Sequence, residues 1–442
     1  MKKLLFILIL FLTSCSFDNK SGIWENQKIK NQEKIAANKN YIPVFEKEKY
    51  LNTEIKLKNK NEIQLSKLTN TSKWTVENYD SNYQLHNLNY INNLKIDLKS
   101  NKLSRRKLSD KIFYLNQKII FNNFNGEIFV YSIEQNKTIF KYNFYKKFSY
   151  KRKKILNILV DDNIIYASDN FGYLYALNYS TNKILWAKNF GVPFNTNILK
   201  KDDSIYLANS NSTFFSINKK NGEVLWSYKT ENKIVRSSFK SIILIQNDNI
   251  YYLNNFLNIY NFKHNLSSPV WVSSLITNRF EESTSNTINN FVANKNKLII
   301  SQSNKIQIVD NKNALIERSL PIKSDINIIS SGNLLCSISN KNFLICFNNQ
   351  TGKILWSKNI DKALQKKEFV KLKKKIGKIS SMKFINDNIF LFTKKGYLIK
   401  ISPLNQKIIS VDKTPVKLKK DFIIIEGKIF NIINGNKLVI IS

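Results

Sequence analysis

A segment of about fifteen residues recurs along this chain, and it limits the fold more than any other feature. Residues 172–186, 212–226 and 342–356 align position by position: an alternating apolar strand, an Asn- or Gly-containing turn, and a second strand closing on Trp186, Trp226 and Trp356. Weaker copies close on Phe140, Trp271, Glu317 and Ser410. Upstream of the copies lie further short apolar runs, such as 164–167 and 204–208. Period-2 alternation in runs this short, punctuated by turn residues and repeated every 40–50 residues or so, describes four-stranded antiparallel blades. One blade cannot bury both of its faces, so neighbours must stack around a common axis.

The two ends supply the remaining blade. Residues 421–442 hold three apolar runs and lack an outer strand, whereas residues 94–98 form an isolated strand just ahead of the first full copy. Pairing these pieces closes the ring and hides two edges that would otherwise be open to association. The expected fold is therefore all-β, an eight-bladed β-propeller within residues 74–442, the repeats over 94–441 allowing about 43 residues per blade. Seven blades is the alternative should the ends not join. With 11 Gly and 6 Pro in 442 residues, the turns must lean on Asn, which tolerates positive φ better than most residues.

The chain starts with Met1, Lys2 and Lys3, followed by an apolar run over 4–12 and then Thr13, Ser14 and Cys15. A charged start and an apolar run too short to span a bilayer read as a secretory signal peptide, residues 1–14. The ending Leu12-Thr13-Ser14-Cys15 resembles the lipobox of bacterial lipoproteins, which implies that Cys15 carries lipid, three acyl chains in all, and anchors the chain firmly. Ser16 stands where many inner-membrane lipoproteins have Asp, which favours the periplasmic face of the outer membrane. Residues 15–73 are rich in Lys, Asn, Glu and Gln and read as a mostly extended tether, with 41–45 as the part expected to dock.

The repeats resemble the quinoprotein-type propeller motif Ala-x-Asp-x-x-Thr-Gly-Lys-x-x-Trp. Ala176, Asn178, Thr181, Asn182, Lys183 and Trp186 follow it with Asn replacing Asp and Gly; Cys346, Asn348, Thr351, Gly352, Lys353 and Trp356 follow it well; Ser216, Asn218, Gly222 and Trp226 follow it less fully. In proteins with this motif the Trp wedges between blades, so Trp186, Trp226 and Trp356 are expected to be structural. With the lipobox, the eight-blade length, the N-terminal closing strand, the stretch 74–86 and Ser104-Arg105-Arg106, the chain resembles the BamB-like lipoprotein propellers of the outer-membrane β-barrel assembly machinery.

That resemblance implies a scaffold, not an enzyme, which docks on the periplasmic domains of the barrel-inserting protein and can meet unfolded outer-membrane clients, as a monomer within a complex. Strand order carries the family's contacts onto Val235 and Arg236 and onto a loop near 285–290. There the family's acidic pair is replaced by Asn286 and Ile288, leaving Glu281 and Glu282 as stand-ins.

Lys and Arg number 70 against 32 Asp and Glu, a net charge of +38. Lys-Asn pairs are scattered along the whole chain, the pattern of a compositional bias with a solvated basic surface, and no nucleic-acid partner is expected. A basic propeller for polyanions or adhesion is one alternative class, and a periplasmic quinoprotein enzyme is the other. The latter needs Ca²⁺ ligands and a cofactor constellation that cannot be assembled here, so no cofactor or metal is expected; His86 and His264, the two histidines, are far apart. Cys336 and Cys346 lie on two strands of one hairpin. A two-residue turn between them would send the thiols to opposite faces, and a three-residue loop would bring them together, so the bond is left open with the first reading favoured.

Overall fold

The structure, a computed structural model, describes residues 53–81, 86–145, 152–230, 240–276, 287–365 and 369–442, and the short strands Cys15–Phe17 and Trp24–Asn26. Those two strands form an antiparallel pair within a first unit, Met1–Lys47; the second unit, Glu48–Ser442, is the propeller. The signal peptide and residues 41–45 lie outside the described residues.

Eight four-stranded antiparallel sheets make up the ring. Blades 1 to 7 comprise residues 108–143, 156–189, 199–229, 242–274, 288–320, 329–359 and 379–413 in chain order, each running from its innermost strand to its outermost. Blade 8 joins the two ends of the chain. Ile423–Ile425, Lys428–Ile433 and Lys437–Ile441 are completed by Ile96–Lys99, with Ile96 opposite Ile441 and Leu98 opposite Ile440. Lys95 and Ser442 then exchange backbone hydrogen bonds of 3.3 and 3.0 Å. The expected eight-blade ring with N-terminal closure is the observed one. Between blades the apolar faces form continuous clusters, such as Leu334, Leu344 and Leu355 of blade 6 against Phe384, Leu391 and Ile399 of blade 7.

The motif's turn explains why Asn serves where the pattern asks for Asp. The side-chain oxygen of Asn178 accepts from the N–H groups of Ser180 and Thr181, and Asn348 does the same for Gln350 and Thr351. Asp310 accepts from Lys312 and Asn313, so only a carbonyl-type oxygen is required, not a charge. Four residues after this acceptor the chain enters positive φ, at Asn182, Gly222, Ala314 and Gly352. A register shift follows in each blade, placing Trp186 opposite Ala176, Trp226 opposite Ser216 and Trp356 opposite Cys346. In blade 5 the bulge puts Arg318, not Glu317, at that position, opposite Ile308. The fifth copy therefore closes one residue later than its alternating pattern predicts, because a bulge leaves no trace in such a pattern.

The same accounting settles the cysteines. Ser339 N–H donates to Phe343 O at 2.8 Å, so the loop of the hairpin is the three residues Asn340, Lys341 and Asn342, with Asn342 at φ 59°. An odd loop makes Cys336 and Cys346 direct partners with Cα atoms 4.1 Å apart, and they form a disulfide. The favoured reading of unbonded thiols is thereby corrected; one residue of loop length was the whole difference.

Residues 53–81 and 86–91, much of which reads as tether from composition, run along the blades as a strap. Ile55 exchanges backbone hydrogen bonds of 3.1 and 3.0 Å with Ser357 of blade 6. Gln64 accepts from the backbone of Asn333 at 2.9 Å, Thr71 from Glu426 at 2.8 Å, Thr75 from Val160 at 2.9 Å and Ser81 from Ile245 at 2.8 Å. Leu57, Ile63 and Leu65 pack their apolar side chains against the core, while Lys56, Lys58 and Gln64 beside them stay exposed. From Gln64 onward these contacts fall at or beside the turns joining innermost and second strands, at one end of the propeller axis.

Candidate functional site

The innermost strands contribute the wall of an axial channel, and the strap contributes its cover. A cavity of about 270 Å3 lies between them, lined by the strap residues Trp74 and Glu77 and by Lys111, Lys240, Lys383 and Asp421 from four different blades or their approaches. Trp74 is fixed by two backbone hydrogen bonds of 2.8 Å with Tyr114 of blade 1. That anchor sends Glu77 into the channel, where its carboxylate lies 2.6 Å from Lys111 Nζ and 2.7 Å from Lys240 Nζ.

The surroundings of these groups are unusual for a solvated surface. Burial works against ionisation of Glu77, but the ammonium groups of Lys111 and Lys240 outweigh it and hold the carboxyl well below the usual carboxylate range. Lys111 is desolvated too, yet Glu77 raises it above the ordinary lysine value. Lys240 keeps 42% of its side-chain surface open, but desolvation at the channel wall and the charge of Lys111 push it down to about 8 against the pull of Glu77. Lys383 stands over the ring of Phe422 at 4.9 Å and of Trp74 at 6.0 Å. Burial brings it to about 8 as well, only partly offset by Asp421.

A pH dependence follows. Lys383 has a folded value below its unfolded one, so its charge opposes folding fully below about pH 8, and that opposition fades as the pH rises towards the unfolded value of 10.5. Lys383→Met, which keeps the apolar stem, is therefore expected to melt higher than the parent at pH 7, with the gap narrowing by pH 10. Melting curves at the two pH values are the check, and a gap that widens with pH would show the sign to be wrong.

The residues singled out from sequence are spread over the ring, not gathered at the channel. Trp356 is completely buried and its cluster spans blades 6 and 7. Trp186 Nε1 donates to Lys219 O in blade 3 at 3.0 Å, and its ring so closely covers Gly222 that a Cβ there would sit 2.6 Å from it. Trp226 is half-buried and stacks on Phe262 of blade 4, ring centroids 5.6 Å apart. Arg318 takes the equivalent place over Gly352 of blade 6, its stem doing for that turn what Trp186 does for Gly222. Val235 and Arg236, between the outer strand of blade 3 and the inner strand of blade 4, lie outside the described residues, as do Glu281 and Glu282 between blades 4 and 5. Of Cys15, only the backbone strand is described. His86 meets Asp80 at 2.7 Å and His264 meets Asp202 at 3.1 Å, 178 residues apart in the chain.

The channel residues were not recognisable in sequence, because Glu77, Lys111 and Lys240 are brought together only by ring closure. Among the described residues no three His, Cys, Asp or Glu side chains gather as a metal would require. The channel's acids stand among lysines, and such a donor set repels the divalent cation that a quinoprotein centre needs. No helix among the described residues is long and apolar enough to cross a membrane.

Comparison with known proteins follows these contours. A family model described as outer membrane protein assembly factor BamB matches residues 126–358. No curated protein sequence matches significantly. Among solved structures, BamB from Moraxella catarrhalis is similar with a TM-score of 0.57 and 14% identity, covering 79% of this chain and 99% of that one. The computationally designed Ika8 protein reaches 0.53 at 8% identity, covering 77% and 99%. A europium-containing methanol dehydrogenase reaches 0.59 at 9% identity, covering 81% and 89%. At such identities the likeness is one of fold, shared by an assembly factor, a designed protein and an enzyme.

Proposed function

Because the chain belongs to the family of the outer membrane protein assembly factor BamB, we propose that it is a non-enzymatic scaffold that assists the assembly of β-barrel proteins in the outer membrane. Family membership is the observation that carries this reading. In it, the propeller holds rim loops on a rigid ring and presents them to the periplasmic domains of the barrel-inserting protein. The chain works as one copy within a complex, tethered by lipid on Cys15 to the periplasmic face of the outer membrane. The cationic channel lends no support to a quinoprotein reaction. Trp186, Trp226 and Trp356 act as wedges between blades.

Two measurements test the reading. Cys15→Ala should release the chain into the soluble periplasm as an uncut precursor; a variant that still fractionates with membranes and takes up labelled fatty acid would exclude the anchor. Affinity purification from solubilised outer membranes should recover the barrel-inserting protein. Arg236→Glu should weaken that recovery by roughly thirtyfold, since reversing a hot-spot charge costs on the order of 2 kcal/mol. Undiminished recovery with unchanged stability would move the contact to the connection holding Glu281 and Glu282.

A further inference from the structure

The axial cavity carries more positive than negative charge, along with polar groups that the protein leaves unanswered. Lys111, Lys240, Lys383 and Lys420 line it against Glu77 and Asp421. Glu77 is shared by two lysines, so that group alone keeps an excess positive charge. Lys383 Nζ meets no hydrogen-bond acceptor among the described residues; its near neighbours are the faces of Phe422 and Trp74. Two further lining residues, Trp74 and Ser381, are 5% and 7% exposed, and the indole N–H of the first and the hydroxyl of the second have no partner among the described residues. Ser381 and Lys383 are two apart on the inner strand of blade 7 and share one of its faces.

Buried donors without acceptors, beside more cations than carboxylates, are costly unless something supplies both acceptor and charge. The missing group must be an acceptor at several atoms, carry negative charge and fit within about 270 Å3. We propose that this cavity binds a small multivalent oxyanion, held by Lys383, Lys240, the Trp74 indole N–H and the Ser381 hydroxyl. The site is independent of the scaffold role and does not require any partner protein. The depressed value of Lys383, about 8, fits a lysine whose counter-charge within the chain is incomplete. The strap supplies Trp74, so anion binding also ties the N-terminal segment to the ring.

Inorganic phosphate is the probe. At pH 7, with ionic strength held constant by NaCl, titration calorimetry should give a saturable heat at one site per chain, and the melting temperature should rise with phosphate as expected for a ligand of the folded state. Lys383→Met should lower the affinity at least tenfold. Lys183→Met, the same charge change on an exposed outer strand, should bind as the parent does. If Lys383→Met fails to fold, Ser381→Ala serves instead and should weaken binding several-fold. Absence of a saturable heat would overturn the proposal, and so would an equal response to NaCl alone. Phosphate binding left unchanged in the folded Lys383→Met protein, or in Ser381→Ala, would overturn it too.

Discussion

Replacing Trp356 by alanine is expected to cost about 3–5 kcal/mol of folding stability, the range for removing a large buried aromatic side chain. The residue is 0% exposed and sits in a cluster drawn from both blades 6 and 7, so its loss leaves a cavity in an inter-blade seam that rigid strands cannot collapse to fill. Its Nε1 has no hydrogen-bond partner among the described residues, so the expected cost is mainly one of packing. Trp226, half-buried, should cost less when truncated, and Trp186 should lose its bond to Lys219 O in addition to its contacts. Urea unfolding of the three alanine variants would rank them. A Trp356→Ala protein that unfolds with the parent yet no longer recovers a partner would assign the ring to binding and remove the wedge.

Loss of the Cys336–Cys346 bond is expected to cost about 2–3 kcal/mol, taking the chain-entropy value for a closed loop of roughly ten residues. Both residues are fully buried, so the bond is shielded from external thiols in the folded protein. The double variant Cys336→Ala, Cys346→Ala should therefore unfold at lower urea than the parent. Reductant should lower the midpoint of the parent in equilibrium unfolding and leave that of the double variant unmoved. Equal midpoints for parent and double variant in oxidising buffer would mean that the bond adds nothing. A structural disulfide also fits export, since thiols in reducing compartments stay unpaired.

How much of this was legible beforehand depends on how local each determinant is. The three closing tryptophans were visible because strand alternation, the Asn or Gly turn and the closing aromatic all lie within fifteen residues. The turns were legible for the same reason: the side-chain oxygens of Asn178 and Asn348 accept from backbone N–H groups two and three residues on. Arg318 was missed because its role belongs to a position, not a residue type. An arginine stem covers Gly352 as a tryptophan ring covers Gly222. The strap left a fainter trace, in the alternation of Ile55 with Leu57 and of Ile63 with Leu65, masked by the polar residues between them.

By itself the sequence determined that this chain builds four-stranded blades, that eight of them close, and that residues near 96 complete what the C-terminus leaves unfinished. Period-2 patterning and turn chemistry act between near neighbours, and one repeat reads like the next. Only the tertiary structure decided that Cys336 faces Cys346, that residues 64–81 and 86–91 lie at one end of the axis, and that Glu77 meets Lys111 and Lys240. The first turned on a single residue of loop length, which flips a side chain from one face of a strand to the other. The others join groups that lie a blade or more apart in sequence. Their meeting is set by the radius and closure of the ring, which no local pattern encodes.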